Sequence, residues 1–307
     1  MSERVAYDEF GLFHENAHEY GIAYPGPPVV RRTAVEVGGG RRLSALVWGS
    51  GDPEFVFVHG GAQNAHTWDT VALALGRPLI AVDLPGHGHS DGPGERIEGQ
   101  LSLDGNAADV EPVIRELAPN AKAVIGMSLG GLTSIMLAGR APDVVRSLIL
   151  VDITPGVTGN KSQAITNFVN GPVSFPSFDD ILARTVEHNP TRTVASLRRG
   201  ILHNAIQLDD GSWVWRYRRH GGPNPIGDGK TRPENAFGAG WDGLGAVTAP
   251  VLLVRGMLKQ SVIDDADEAE LRRRLPKARV EHFENAGHSV QGDMPVELAA
   301  LIADFAG

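Results

Sequence analysis

Short, wholly apolar runs alternate along this chain with longer stretches of helical spacing. Residues 55–58 (FVFV), 79–82 (LIAV), 123–125 (AVI), 148–151 (LILV) and 251–254 (VLLV) are such runs. Runs this short, apolar at every position, predict strands of a parallel sheet buried on both faces. Between them the spacing predicts helices over 67–75, 103–117, 129–139, 267–275 and 295–305, with Val110, Val113, Ile114 and Leu117 sharing one face of the second. Residues 29–37 and 43–48 predict a hairpin around Gly38-Gly39-Gly40, and 278–283 a last strand.

The alternation breaks at Thr154-Pro155-Gly156 and resumes at Pro250. The expected fold class is therefore α/β, a mostly parallel sheet with helices on both faces. Its first part spans 1–153 with an N-terminal extension over 1–28, an inserted cap spans 154–240, and 241–307 completes the core. Within the insertion, 208–212 (LDDGS) carries the Asp-Gly signal of a tight turn. Trp213, Trp215 and Tyr217 then alternate with Val214 and Arg216, which puts three aromatics on one strand face. With Phe168, Phe175 and Phe178 they form the cap's own core or line a pocket beneath it.

Composition narrows the classes. Of 307 residues, 42% are apolar and 21% charged, which excludes wholesale disorder. The net charge of −9 gives no electrostatic footprint for nucleic acid or anionic lipid. The absence of Cys excludes disulfides, thiolate metal sites and a Cys nucleophile. The N-terminus (MSERVAYDEF) has no apolar leader segment, and no apolar run approaches the ~20 residues of a membrane helix. The expectation is a cytoplasmic protein without a membrane span, its oligomeric state left open.

Gly126-Met127-Ser128-Leu129-Gly130 fits G-x-S-x-G, with a predicted strand before it and a predicted helix after it. A sharp strand-to-helix turn exposes the Ser128 hydroxyl, and glycines on either side leave room for the turn. Such a serine needs two backbone donors for the developing oxyanion. Leu129 follows the nucleophile, and His59-Gly60-Gly61 follows a strand, so the Leu129 and Gly61 amides are the candidates, with Ala62 the alternative if the loop is shifted. Among 11 histidines, His288 alone stands on a loop between the last strand and the last helix. The unperturbed pKa of an imidazole, about 6.5, suits a general base at neutral pH.

With these residues together, the chain resembles the α/β-hydrolase-fold superfamily. His59-Gly60-Gly61, Asp83 to Ser90, the Ser128 turn, Leu148 to Asp152 and Gly287-His288 match it in order. It is similar, more narrowly, to a mycobacterial carboxylesterase-like branch of serine hydrolases through Gly61 to Asp69, Gly126 to Leu132, Leu197 to Gly200 with His203-Asn204, Trp213 to Tyr217 and Gly287 to Gln291. The resemblance implies ester hydrolysis without a cofactor and a small-molecule ester as partner. The substrate would meet Gly60, Met127, Trp213 and Trp215 near Ser128.

One position departs from the pattern. The triad acid of this superfamily usually follows the strand at 250–254, where Lys259 or Gln260 stands here. Asp152, at the end of the strand at 148–151, is the favoured substitute, because it keeps the order Ser, Asp, His. Asp264 or Asp265 is the alternative, though both look like the cap of the next helix. Asp83 comes too early in the order and reads as structural.

Several other signals are discounted. His14-Glu15-Asn16-Ala17-His18 fits H-E-x-x-H, but lies in the extension and reads as an exposed polar helix turn, so no metal is expected. His87 and His89 read as loop residues, and 265–274 as a solvated helix face. Arg198-Arg199, Arg216 and Arg218-Arg219 make the cap locally basic and read as surface arginines.

The expected function is a serine carboxylic ester hydrolase working through an acyl-enzyme on small to medium, largely apolar esters. The same triad would serve a lactone, thioester or carbon–carbon bond. A haloalkane dehalogenase or ordinary epoxide hydrolase would need Asp at Ser128. The missing carboxylate at Lys259 or Gln260 motivates a rival, a ligand-binding protein on a hydrolase scaffold.

Overall fold

The computed structural model describes residues 4–92, 102–217 and 240–307. In chain order the strands are β1 (Val30–Gly38), β2 (Arg41–Trp48), β3 (Phe55–Val58), β4 (Leu79–Val82), β5 (Ala123–Met127), β6 (Leu148–Val151), β7 (Ser174–Phe175), β8 (Ala205–Gln207), β9 (Trp213–Trp215), β10 (Val251–Gly256) and β11 (Arg279–Phe283). The helices are α1 (Phe13–Glu19), α2 (Asp69–Leu75), α3 (Leu103–Leu117), α4 (Leu129–Arg140), α5 (Gln163–Val169), α6 (Phe178–His188), α7 (Val194–Asn204), α8 (Gly240–Gly245), α9 (Asp265–Arg274), α10 (Val290–Asp293) and α11 (Pro295–Ala306).

Eight strands form one sheet in the order β1-β2-β4-β3-β5-β6-β10-β11. β1 and β2 pair antiparallel, as do β2 and β4, and the remaining pairs are parallel. Every residue of β3, β4, β5, β6 and β10 is buried. The side-chain period of two sends alternate residues to opposite faces. Val56, Val58, Val124, Leu148, Leu150, Val251 and Leu253 join one core with residues of α3 and α4. Phe55, Phe57, Ile125, Ile149, Val151, Leu252 and Val254 join the other with residues of α2 and α11.

The expected hairpin forms as β1 and β2, with a register shift between Glu36 and Gly38. The extension is not the free polar turn that its H-E-x-x-H pattern suggested. Phe13, Asn16 and Ala17 of α1 are buried, and the Phe13 ring lies 4.8 Å from that of Trp48. His14 and His18 are exposed, and the His14 ring donates to the Gly11 carbonyl oxygen at 2.9 Å.

In the insertion, the Asp-Gly turn joins β8 to β9, with Gly211 N donating to Leu208 O at 2.9 Å. Helices α5, α6 and α7 are elements the apolar pattern did not announce. Two of them carry readable caps: Ser177 accepts from Asp180 N and Thr193 from Ser196 N. Phe175, Ile181, Ile201, Leu202, Ala205 and Trp213 form a small separate core. Arg199 is a correction. It is 4% exposed and ion-paired to Glu19 of α1 rather than spread on the surface. Arg218 and Arg219 lie outside the described residues.

Candidate active site

Strand order decides what meets what. In an open parallel sheet the loops at the carboxyl ends of neighbouring strands lie side by side. Here β3, β5, β6, β10 and β11 are consecutive neighbours. Their carboxyl ends carry, in that order, Gly60-Gly61, Ser128, Asp152, the 257–262 loop and His288.

Ser128 sits between β5 and α4 with φ +52° and ψ −117°. That is a strained backbone for a residue with a side chain, and such strain persists only where the surroundings enforce it. The glycines are required by close approach. A Cβ on Gly126 would stand 2.6 Å from Gly130 O, and one on Gly130 would stand 2.2 Å from Val58 O.

Asp152 is also left-handed, at φ +46°, and is fully buried. Its Oδ2 accepts from His288 Nδ1 at 2.9 Å and from Val262 N at 3.1 Å. Its Oδ1 accepts from Ser261 Oγ at 2.6 Å and from Gly256 N at 2.9 Å. The loop that lacks a carboxylate at Lys259 and Gln260 thus supplies two of the donors that orient Asp152, and the end of β10 a third. The alternatives are engaged elsewhere. Asp264 caps α9 in a reciprocal capping box with Asp267, and Asp265 is exposed and pairs with Arg255.

The loop after β3 is braced from below. His59 Nδ1 donates to Gly60 O at 2.7 Å, while its Nε2 accepts from Leu84 N at 2.9 Å. Burial lowers the pKa of this histidine, which favours the neutral ring that both bonds require. Ala62 N donates to His87 Nε2 at 3.1 Å, so the Ala62 amide is already engaged, whereas Gly61 lines the open cavity. Asn204 of the cap donates to Ala62 O at 2.7 Å. His87 stands on a loop, as expected, and braces the Gly60-Gly61 turn through the Ala62 amide. Asp83 is structural, accepting from Arg32 Nη1 and Ala65 N at 2.7 Å each.

A cavity of ≈ 320 Å³ lies over this edge, lined by Gly60, Gly61, Met127, Ser128, Leu129 and His288. The cap wall comes from Val157, Ile165, Phe168, Tyr217 and the 188–192 segment. Two of the expected substrate contacts do not line this cavity. Trp213 is 4% exposed and packs against Phe178 in the cap core, and Trp215 lines an adjoining cavity of ≈ 180 Å³ instead. Gln63, Gln260 and 188–192 were missed. No periodicity marks them, because they stand on loops or at a helix end that the tertiary fold brings to the cavity.

Among the described residues one group has a metal-site composition. Ligand atoms of His66, Asp69 and His203 lie within 4.8 Å of one another. The two rings, however, are stacked at 3.9 Å with 11° between their planes, so their lone pairs run parallel rather than converge. Arg32 Nη2 lies 3.3 Å from His66 Nε2. The cluster works as an electrostatic joint between core, cap and extension. His66 Nδ1 meets Asp69 Oδ2 at 2.9 Å, and Tyr7 OH meets His203 Nδ1 at 2.9 Å. Burial opposes charge on His66, but Asp69 and Glu9 outweigh it and hold its pKa up to about 9. Burial, then the neighbouring His66, pushes His203 well down.

Sheet order and the turn at Ser128 define an α/β hydrolase. The family profile described as alpha/beta hydrolase fold matches residues 53–295, and the chain belongs to that family. It is 44% identical over 307 residues to esterase Rv0045c of Mycobacterium tuberculosis, covering 98% of this chain and 96% of the relative. A crystal structure of that esterase superposes with a TM-score of 0.81, covering 98% of this chain and 99% of the other. A 2-(acetamidomethylene)succinate hydrolase of Mesorhizobium japonicum is 30% identical over 84% of this chain and 88% of its own. Among the described residues no helix is long and apolar enough to cross a membrane.

Proposed function

We propose that the protein is a serine carboxylic ester hydrolase in which Ser128, His288 and Asp152 act as nucleophile, base and orienting acid. The observation that carries this reading is the 2.9 Å contact between His288 Nδ1 and Asp152 Oδ2. A carboxylate can only accept there, so Nδ1 holds the ring's hydrogen and Nε2 is left unprotonated as the base. Nε2 takes the Ser128 proton as Oγ adds to the acyl carbon. The Gly61 and Leu129 amides receive the negative charge on the carbonyl oxygen. His288 returns the proton to the leaving alcohol, and water, activated the same way, releases the acid and regenerates Ser128. The similarity to the mycobacterial esterase supports an ester as the bond and a small molecule as the substrate. The rival reading as a non-catalytic binder rested on a missing acid, and Asp152 removes that motive.

The domain division into core (1–153 and 241–307) and cap (154–240) belongs to the same proposal. Ser128→Ala should lower p-nitrophenyl ester turnover by about 10⁵ or more in folded protein. A fluorophosphonate probe should label the wild type at Ser128. Unchanged turnover in the variant, or no labelling of folded wild type, would remove the reading.

A further inference from the structure

The cavity over Ser128 has an uneven charge inventory. Its described lining contains no Asp, Glu or Lys, and one arginine, Arg192. Cations withdrawn from water are ordinarily paired with carboxylates. Among the described residues Arg192 forms no ion pair and its buried Nε has no hydrogen-bond partner, although its charge is felt by Glu19 and Asp293 is near. Glu19 is held by Arg199 and Thr193, and Asp293 accepts from Thr191 Oγ1 at 3.0 Å and from Gly287 N at 2.9 Å. Arg192 itself donates from Nη2 to the neutral Ser196 hydroxyl.

The place of Arg192 is built into the fold. Its guanidinium lies so close to Gly292 that a Cβ there would stand 1.7 Å from Nη1. Glycine at 292 therefore gives the side chain its seat, on the helical turn that follows His288. Arg192 also lines the adjoining ≈ 180 Å³ cavity, so it stands where the two chambers meet. The cavity that Arg192 shares with the nucleophile is also lined by apolar groups, including Leu132, Ile153, Val157 and Ile165. A cavity with apolar walls and one guanidinium that has no ion-pair partner among the described residues selects for a substrate with a hydrocarbon part and a negatively charged group.

We infer that Arg192 is a specificity residue, and that the preferred substrate is an ester bearing an anionic group, a carboxylate or phosphate, separated from the ester bond by a short apolar spacer. The inference rests on the ester-hydrolase reading and narrows the largely apolar esters that the sequence suggests.

Matched pairs test it. For the acyl side, the mono-p-nitrophenyl ester of adipate is compared with p-nitrophenyl hexanoate and with the adipamate ester, which keeps the length without the charge. For the alcohol side, the butanoate ester of 4-hydroxybutanoate is compared with butyl butanoate by pH-stat. Wild type should favour the charged member of at least one pair in kcat/KM by about tenfold or more, and Arg192→Met should abolish that ratio while Arg192→Lys restores part of it. The pair that responds identifies which half of the substrate carries the anion. Preference for the neutral member in both pairs overturns the inference on wild type alone, whatever the variants' folding. A parallel fall for charged and neutral esters in Arg192→Met also overturns it and makes Arg192 a structural pin. If no ester is turned over and Ser128 is not labelled, the ester-hydrolase reading itself has failed.

Discussion

Ser128, Asp152 and His288 stand on turns rooted in the central sheet, where β5, β6 and β10 are buried at every residue. The cap wall of the same cavity stands on thinner supports. Helix α5 buries no side chain completely, and α6 buries Ile181 and Thr185. What the cap lacks in apolar core it replaces with polar ties to its neighbours. Arg199 and Thr193 hold Glu19, Asn204 holds Ala62, and His203 stacks on His66. Apolar burial is non-directional and fixes the sheet, whereas these ties are directional and depend on charge. In the proposed reading the reaction chemistry rests on the region that changed pH or salt disturbs least, and the choice of substrate on the region they disturb most.

The sharpest way to break this contrast is Asp152→Asn. It should lower kcat/KM by about 10⁴ through loss of the ring orientation, while Asp264→Asn should leave turnover within about threefold, since an Asn caps a helix nearly as well. Equal losses in both, measured with one ester, would place the acid elsewhere. Next in size is Arg199→Met in the cap. Removing one member of a mostly buried pair should cost about 3 kcal/mol, read as a lower urea midpoint, with cap and extension loosening before the sheet in hydrogen exchange.

A smaller effect comes from the histidine joint. His66 is raised to about 9, so its contribution to stability is fully present below the unfolded value, near 6.5, and is lost as pH rises through about 9. The difference in unfolding free energy between wild type and His66→Gln should shrink by something on the order of 2 kcal/mol between pH 7 and pH 10. A difference that stays constant would show that the charge at His66 contributes nothing. The smallest expected effect is Asn204→Ala. It should lower kcat about tenfold with little change in melting temperature, because it frees Ala62 O and loosens the Gly61 turn by one hydrogen bond. An unchanged kcat would uncouple the cap from the oxyanion loop.

The fold could be read from the chain because its strands are short and apolar throughout, a pattern that only a doubly covered parallel sheet satisfies. The cap could not be read to the same depth. Helix α5 buries no residue completely, and in α6 and α7 the buried face is interrupted by Thr185, Ser196, Arg199 and His203, although Ser177 and Thr193 were available as start signals. Trp213 and Trp215 show the same limit. Their aromatic pattern marks a strand but does not tell which side meets the cavity.

Residue order along the chain was enough for the Ser128 turn, the Gly60-Gly61 loop and the position of His288, because each depends on chemistry within a few neighbouring residues. Whether Asp152 meets His288, 136 positions away, was decided by β6, β10 and β11 lying side by side. So was the seat of Arg192 against Gly292, where a cap loop and the turn after His288 come together. Contacts of that kind arise from strand order and docking of separate elements, and no local pattern of residues encodes which distant loops will become neighbours.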